Sequence, residues 1–155
     1  MIQLKDYQQR AVDRLKFEAE NLLNSSENEI IIFQSPTGSG KTIMVAEFLK
    51  KMVKEKESQR KFAFIWVSVR RLHDQSKEKL EKYYEDDRTL ECSYFEELND
   101  KKIDEDEILF INWHSINKKD INIFVNNAVF IGVVKNGLLP VLLVAIIFVV
   151  VGNTK

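Results

Sequence analysis

Lys41 and Thr42 carry the strongest chemical signal in the chain. They close the stretch Ser35-Pro36-Thr37-Gly38-Ser39-Gly40-Lys41-Thr42, which follows the apolar run Ile30–Phe33 and precedes a helical apolar pattern. Gly38 and Gly40 allow backbone N–H groups to curl around phosphate oxygens. The positive end of the following helix points at the same anion. Pro36, Thr37 and Ser39 complete the cradle, Lys41 reaches the β- and γ-phosphates, and the Thr42 hydroxyl is a ligand for Mg²⁺. The strict pattern G-x-x-x-x-G-K-[ST] asks for Gly at the first position, where this chain has Ser35. The plainer alternative is an ordinary strand–turn–helix connection with Lys41 as a first-turn lysine. A lysine is unfavourable against the helix dipole there, which argues for a negative ligand.

The elements that must hold this loop are legible. Ile30–Phe33 suits a strand buried on both faces. Ile43, Met44, Val45, Phe48, Leu49, Met52 and Val53 give the next helix, from Thr42 to about Lys56, a broad apolar face. Tyr7, Ala11, Leu15, Ala19, Leu22 and Leu23 predict an amphipathic helix over residues 6–24, with Asp6 as its cap. Gln8 on that helix can donate and accept at once, as an adenine edge requires. Residues 61–69 predict a second strand, aromatic and β-branched. Arg70 and Arg71 follow it directly, at the edge where open α/β sheets bind ligands. Taken locally, the two arginines contact a phosphate backbone, face solvent, or pair with Asp74. A helix on Leu72, Ser76, Leu80 and Tyr83 comes next, then a short strand within 89–95. Asp104-Glu105-Asp106-Glu107 looks like an acidic metal box, but it precedes the apolar strand 108–111. A metal-binding carboxylate must follow its strand, so this run reads as a solvated loop. Asn112-Trp113-His114-Ser115 lies at the correct end.

The totals bound the rest. At 155 residues and 45% hydrophobic content the chain is about one domain with a packed core. A net charge of −1 gives no whole-chain nucleic-acid signature, so any such contact is local. The single Cys92 excludes an internal disulfide and suits a half-buried strand position better than a nucleophile. No apolar leader follows Met1, so a cytoplasmic location is expected. All 24 acidic residues precede position 121, and beyond it only Lys135 and Lys155 are charged. Residues 125–155 are therefore set apart as a hydrophobic tail. They are strands completing the core, a marginal membrane segment interrupted by Lys135, or sequence foreign to the domain, such as a shifted reading frame.

Together, Leu4-Lys5-Asp6-Tyr7-Gln8, the phosphate loop, and Trp66-Val67-Ser68-Val69-Arg70-Arg71-Leu72-His73-Asp74-Gln75-Ser76 resemble the amino-terminal ATP-binding domain of superfamily-two DEAD/DEAH-type helicases. The likeness is greatest to the motor subunit of type III restriction enzymes, and it covers roughly residues 2–124. In that family the loop commonly opens with Ala or Ser. The resemblance implies an α/β fold of the P-loop NTPase type, a RecA-like, partial, mainly parallel sheet flanked by helices. It implies ATP and Mg²⁺ as cofactors, Gln8 on adenine, Lys41 as the catalytic lysine, and Lys41 and Thr42 on phosphates and metal. It implies DNA contacts from Arg70, Arg71, His114 and Ser115, and a methyltransferase or specificity subunit as partner. The family also has an Asp-Glu pair after a later strand and a second RecA-like domain with an arginine finger. Neither is present here, so a truncated motor domain with negligible hydrolysis is expected. A membrane-associated nucleotide-binding protein, or a non-functional remnant, is the other reading.

Overall fold

The periodic apolar face near the N-terminus forms helix α1 (Asp6–Leu23), which buries Val12, Leu15, Ala19 and Leu23. In the computed structural model the described residues are 2–25, 29–55, 60–69, 71–116, 129–135 and 141–151. Lys5, not Asp6, is the N-cap of α1; its N–H is satisfied by Gln8 Oε1 at 2.9 Å, and Asp6 sits in the first turn. Strand β1 (Glu29–Ser35) leads through the glycine turn into α2 (Lys41–Lys54). Then come β2 (Lys61–Ser68), α3 (Leu72–Tyr84), β3 (Glu91–Tyr94), two 3₁₀ turns within 95–101, β4 (Glu107–Asn112) and the short α4 (Trp113–Ile116). The apolar tail supplies β5 (Val129–Lys135) and β6 (Val141–Val151).

These strands make one six-stranded sheet in the order β1-β5-β6-β2-β4-β3. β1 pairs parallel with β5, and β2, β4 and β3 pair parallel with one another. β6 runs antiparallel to both neighbours, β5 and β2. Two strands of the tail thus sit in the interior of the sheet. Among the described residues no helix is long and apolar enough to cross a membrane.

Strand alternation sorts the two faces. Phe62, Phe64, Trp66, Ile108 and Phe110 pack against α1, α2 and α3, with Phe48, Leu49 and Met52 of α2 fully buried among them. Trp66 and Phe110 stack at 5.6 Å between centroids. On the other face Ile65, Val67, Leu109 and Ile111 are covered by Phe95, Leu98 and Ile103. The three long helices thus lie on one face, and the other carries a loop segment. Cys92 on β3 is half-buried, and burial pushes its thiol up to about 12, so it is no nucleophile at neutral pH.

A polar clamp ties α2 to the end of α3. Asp87 accepts from Lys50 at 2.5 Å and Lys54 at 3.2 Å, and from Thr89 Oγ1 at 2.6 Å. Burial raises the carboxyl, but the bonds from Lys50, Thr89 and Lys54 outweigh it and hold it well below the usual range. A depressed carboxylate stabilises above its unfolded pKa of about 3.9 and loses that contribution as pH falls through the folded value. Asp87→Asn is therefore expected to lower the melting temperature at neutral pH. The difference from the parent should shrink steadily below about pH 4. A gap that stays constant into acid would show that the charge is not what stabilises.

Candidate nucleotide-binding site

The phosphate loop bridges the C-terminal end of β1 and the first turn of α2. Gly38 and Gly40 have φ of 81° and 85°, the left-handed region that only glycine enters without strain. Ser39 N–H donates to Pro36 O at 3.3 Å, and Met44 N–H to Gly40 O at 3.0 Å, which starts the helix on the residue before Lys41. The hydroxyls of Ser35 and Ser39 meet at 2.5 Å across the mouth of the loop. That contact gives Ser35 a physical reason to stand where a strict motif has glycine. Lys41 Nζ donates to Ser35 O at 2.8 Å and Pro36 O at 2.7 Å, so its ammonium lies over the loop it would share with phosphates. Pro36, Thr37 and Gly38 are exposed, while Ser39, Gly40, Lys41 and Thr42 are half-buried.

α1 is fastened to this loop. Gln8 Nε2 donates to Ser39 O at 2.8 Å while its Oε1 accepts from Lys5 N–H. An acceptor on one side and a donor on the other fix the orientation of the amide, and one N–H of Nε2 remains beyond the Ser39 bond. Tyr7 Oη donates to the same Ser39 carbonyl at 3.0 Å. Sequence reasoning assigned Tyr7 no role in the loop. Its signal was adjacency to Gln8, which places both side chains on one turn.

The family model for type III restriction enzyme, res subunit, matches residues 1–136. The chain belongs to this family. Comparison with curated proteins and with solved structures gives no match. The match takes in the P-loop NTPase, RecA-like α/β unit and β5. It ends before β6. Res-family chains are helicase-type motors that use ATP and Mg²⁺.

The parallel strands bring Ser35, Ser68, Tyr94 and Asn112 to one edge of the sheet. β1 and β2 are separated by β5 and β6, so the loop and the end of β2 stand about 14 Å apart at ordinary strand spacing. Ser68 pairs with Asn112, so the segments after β2 and β4 leave side by side. Arg71, His114 and Ser115 all lie there, Arg71 and His114 exposed and Ser115 half-buried. Arg70 lies outside the described residues. Asp74 is engaged by Tyr94 Oη at 2.9 Å and His73 Nε2 at 3.3 Å.

The acidic run 104–107 is corrected in character and upheld in place. It lies at the opposite edge, before β4, but it is an anchored turn and not a free solvated loop. Asp106 N–H donates to Phe62 O at 2.8 Å, Glu91 N–H donates to Asp106 O at 2.9 Å, Glu105 pairs with Lys61 at 2.8 Å, and Glu107 is buried. Backbone groups at the starts of β2 and β3 need partners, and this turn supplies them.

The loop geometry fits the phosphates of a nucleotide. Among the described residues no group of three or more His, Cys, Asp or Glu could hold a metal. Mg²⁺ is usually held by one or two carboxylates plus substrate phosphates, and here the loop offers the Thr42 hydroxyl alone. At the same edge Lys135 ends β5 in register with Ser35.

Proposed function

We propose that this chain is the nucleotide-binding part of a restriction-type DNA motor, with Lys41 as the catalytic lysine of the family and little hydrolysis of its own. It binds ATP through the loop from Pro36 to Thr42 and meets the DNA backbone through the segments after β2 and β4. The observation that carries the reading is the fastening of α1 to the loop. Gln8 and Tyr7 both donate to Ser39 O, which holds the Gln8 amide beside the phosphate loop. In this reading Gln8 offers its remaining N–H to the base, loop N–H groups and Lys41 hold the phosphates, and Thr42 completes the anion site. When bound, Mg²⁺ would neutralise phosphate charge, touching the protein through Thr42. Arg70, Arg71, His114 and Ser115 hold DNA by its phosphates, which positions a strand without reading its sequence. A methyltransferase subunit would supply sequence choice.

Titration with adenosine, AMP, ADP and ATP tests the nucleotide reading. Affinity is expected to climb with each phosphate, by about tenfold or more from AMP to ATP, since charge-assisted bonds contribute about 1.5–3 kcal/mol each. Equal affinity for adenosine and ATP would rule out a phosphate cradle.

A further inference from the structure

We infer that Trp113 is a stacking platform for an unpaired base, so that this edge of the sheet takes single-stranded nucleic acid in preference to duplex. The inference rests on the DNA reading above and extends it from phosphates to bases. The chain has two tryptophans, and they differ sharply. Trp66 is 2% exposed inside the core, whereas Trp113 is 52% exposed at the end of β4. Trp113 opens α4 directly after Asn112, and the Asn112 side chain accepts His114 N–H at 2.9 Å, which fixes the turn that carries the indole. On the neighbouring strand the Ser68–Asn112 register brings Arg71 to the same edge. An exposed indole at the same sheet edge as an exposed arginine and an exposed histidine joins the two parts of a single-strand site, a π-face for the base and donors for the backbone. A duplex offers only phosphates to such a surface, because its base faces are already stacked on one another. Stacking is indifferent to base identity, so this site adds strand selectivity and no sequence code.

The paired tryptophans make the test internal. The full 155-residue chain is titrated with a fluorescein-labelled oligothymidylate strand and with a duplex of the same length, following anisotropy and tryptophan emission together. The single strand is expected to bind more tightly than the duplex and to quench the exposed tryptophan. Trp113→Phe should retain most of the binding and lose the quench. Trp113→Ala should weaken single-strand binding by about tenfold and leave duplex binding unchanged. Unchanged single-strand affinity in Trp113→Ala, or a quench that persists in Trp113→Phe, would overturn the stacking role while leaving backbone binding standing. Failure of the parent chain to bind either probe while it still binds ATP would overturn the DNA reading itself, and stacking with it.

Discussion

Gly40→Ala is expected to destabilise the chain and abolish nucleotide binding, whereas Gly38→Ala should do far less. Both glycines sit in the left-handed region, so an alanine at either pays roughly 1–2 kcal/mol in backbone strain. Their surroundings differ. A Cβ on Gly38 meets nothing within 4 Å, while one on Gly40 runs into Gln8 Nε2. Gln8 is 9% exposed and is held by Lys5 N–H and Ser39 O, so it cannot move aside without breaking both bonds. Each is a net loss of about 0.5–1.5 kcal/mol, and a buried amide left unpaired costs more. The sum for Gly40→Ala is about 2–5 kcal/mol, a fall in melting temperature of roughly 4–20 °C for a chain of this size. The displaced Gln8 also releases α1 from the loop, so ATP binding should be lost even below the melting transition. Equal melting temperatures for the two variants would show that the Gln8 contact does not constrain the loop.

The loop and the order of its flanking elements were legible because their signals are local. The two-sided burial expected of Ile30–Phe33 is not what the structure shows: Ile30 and Ile32 are exposed, and only Ile31 and Phe33 turn toward the core. Strand, glycine turn, Lys-Thr and helix are contiguous, and the burial of Phe48, Leu49 and Met52 follows from one helical face. The tail was not, because its partners are remote in sequence. Nothing local tells Val141–Val151 that it lies antiparallel between β5 and β2, and an apolar run carries no period that separates a buried strand from a membrane segment. The register of Lys135 against Ser35 was hidden for the same reason, since β1 pairs with a strand far along the chain. The acidic run was placed correctly, before its strand. Its anchoring was invisible, because the partners are backbone groups of Phe62 and Glu91, which no side-chain pattern announces. Gln8 was chosen for its amide, and the structure shows that amide is first of all a fastener between α1 and the loop.

ATP turnover by residues 1–155 is expected to be negligible, with or without DNA, because the sheet edge beside the phosphate loop carries no carboxylate in register. A carboxylate that completes the metal site has to stand at the edge where the phosphate loop opens. Across that edge the residues in register are Ser35, Lys135 and Val141, then Val144 with Ser68, and Asn112. None is an acid. β6 fills a central position but presents its beginning to the loop, and its end, Val151, pairs with Lys61 at the opposite edge. No acid in residues 121–155 is available to correct this. Lys41 therefore meets bound phosphates with positive charge, which favours holding the nucleotide, while among the described residues no carboxylate stands in register at this edge to orient an attacking water. Binding and turnover should separate cleanly. Phosphate release is the decisive measurement, run with saturating Mg-ATP, single-stranded and duplex DNA, and the Lys41→Ala variant as blank. Release that rises with DNA and disappears in Lys41→Ala would mean the chain assembles a hydrolytic site after all, and its carboxylate would have to come from residues outside this edge.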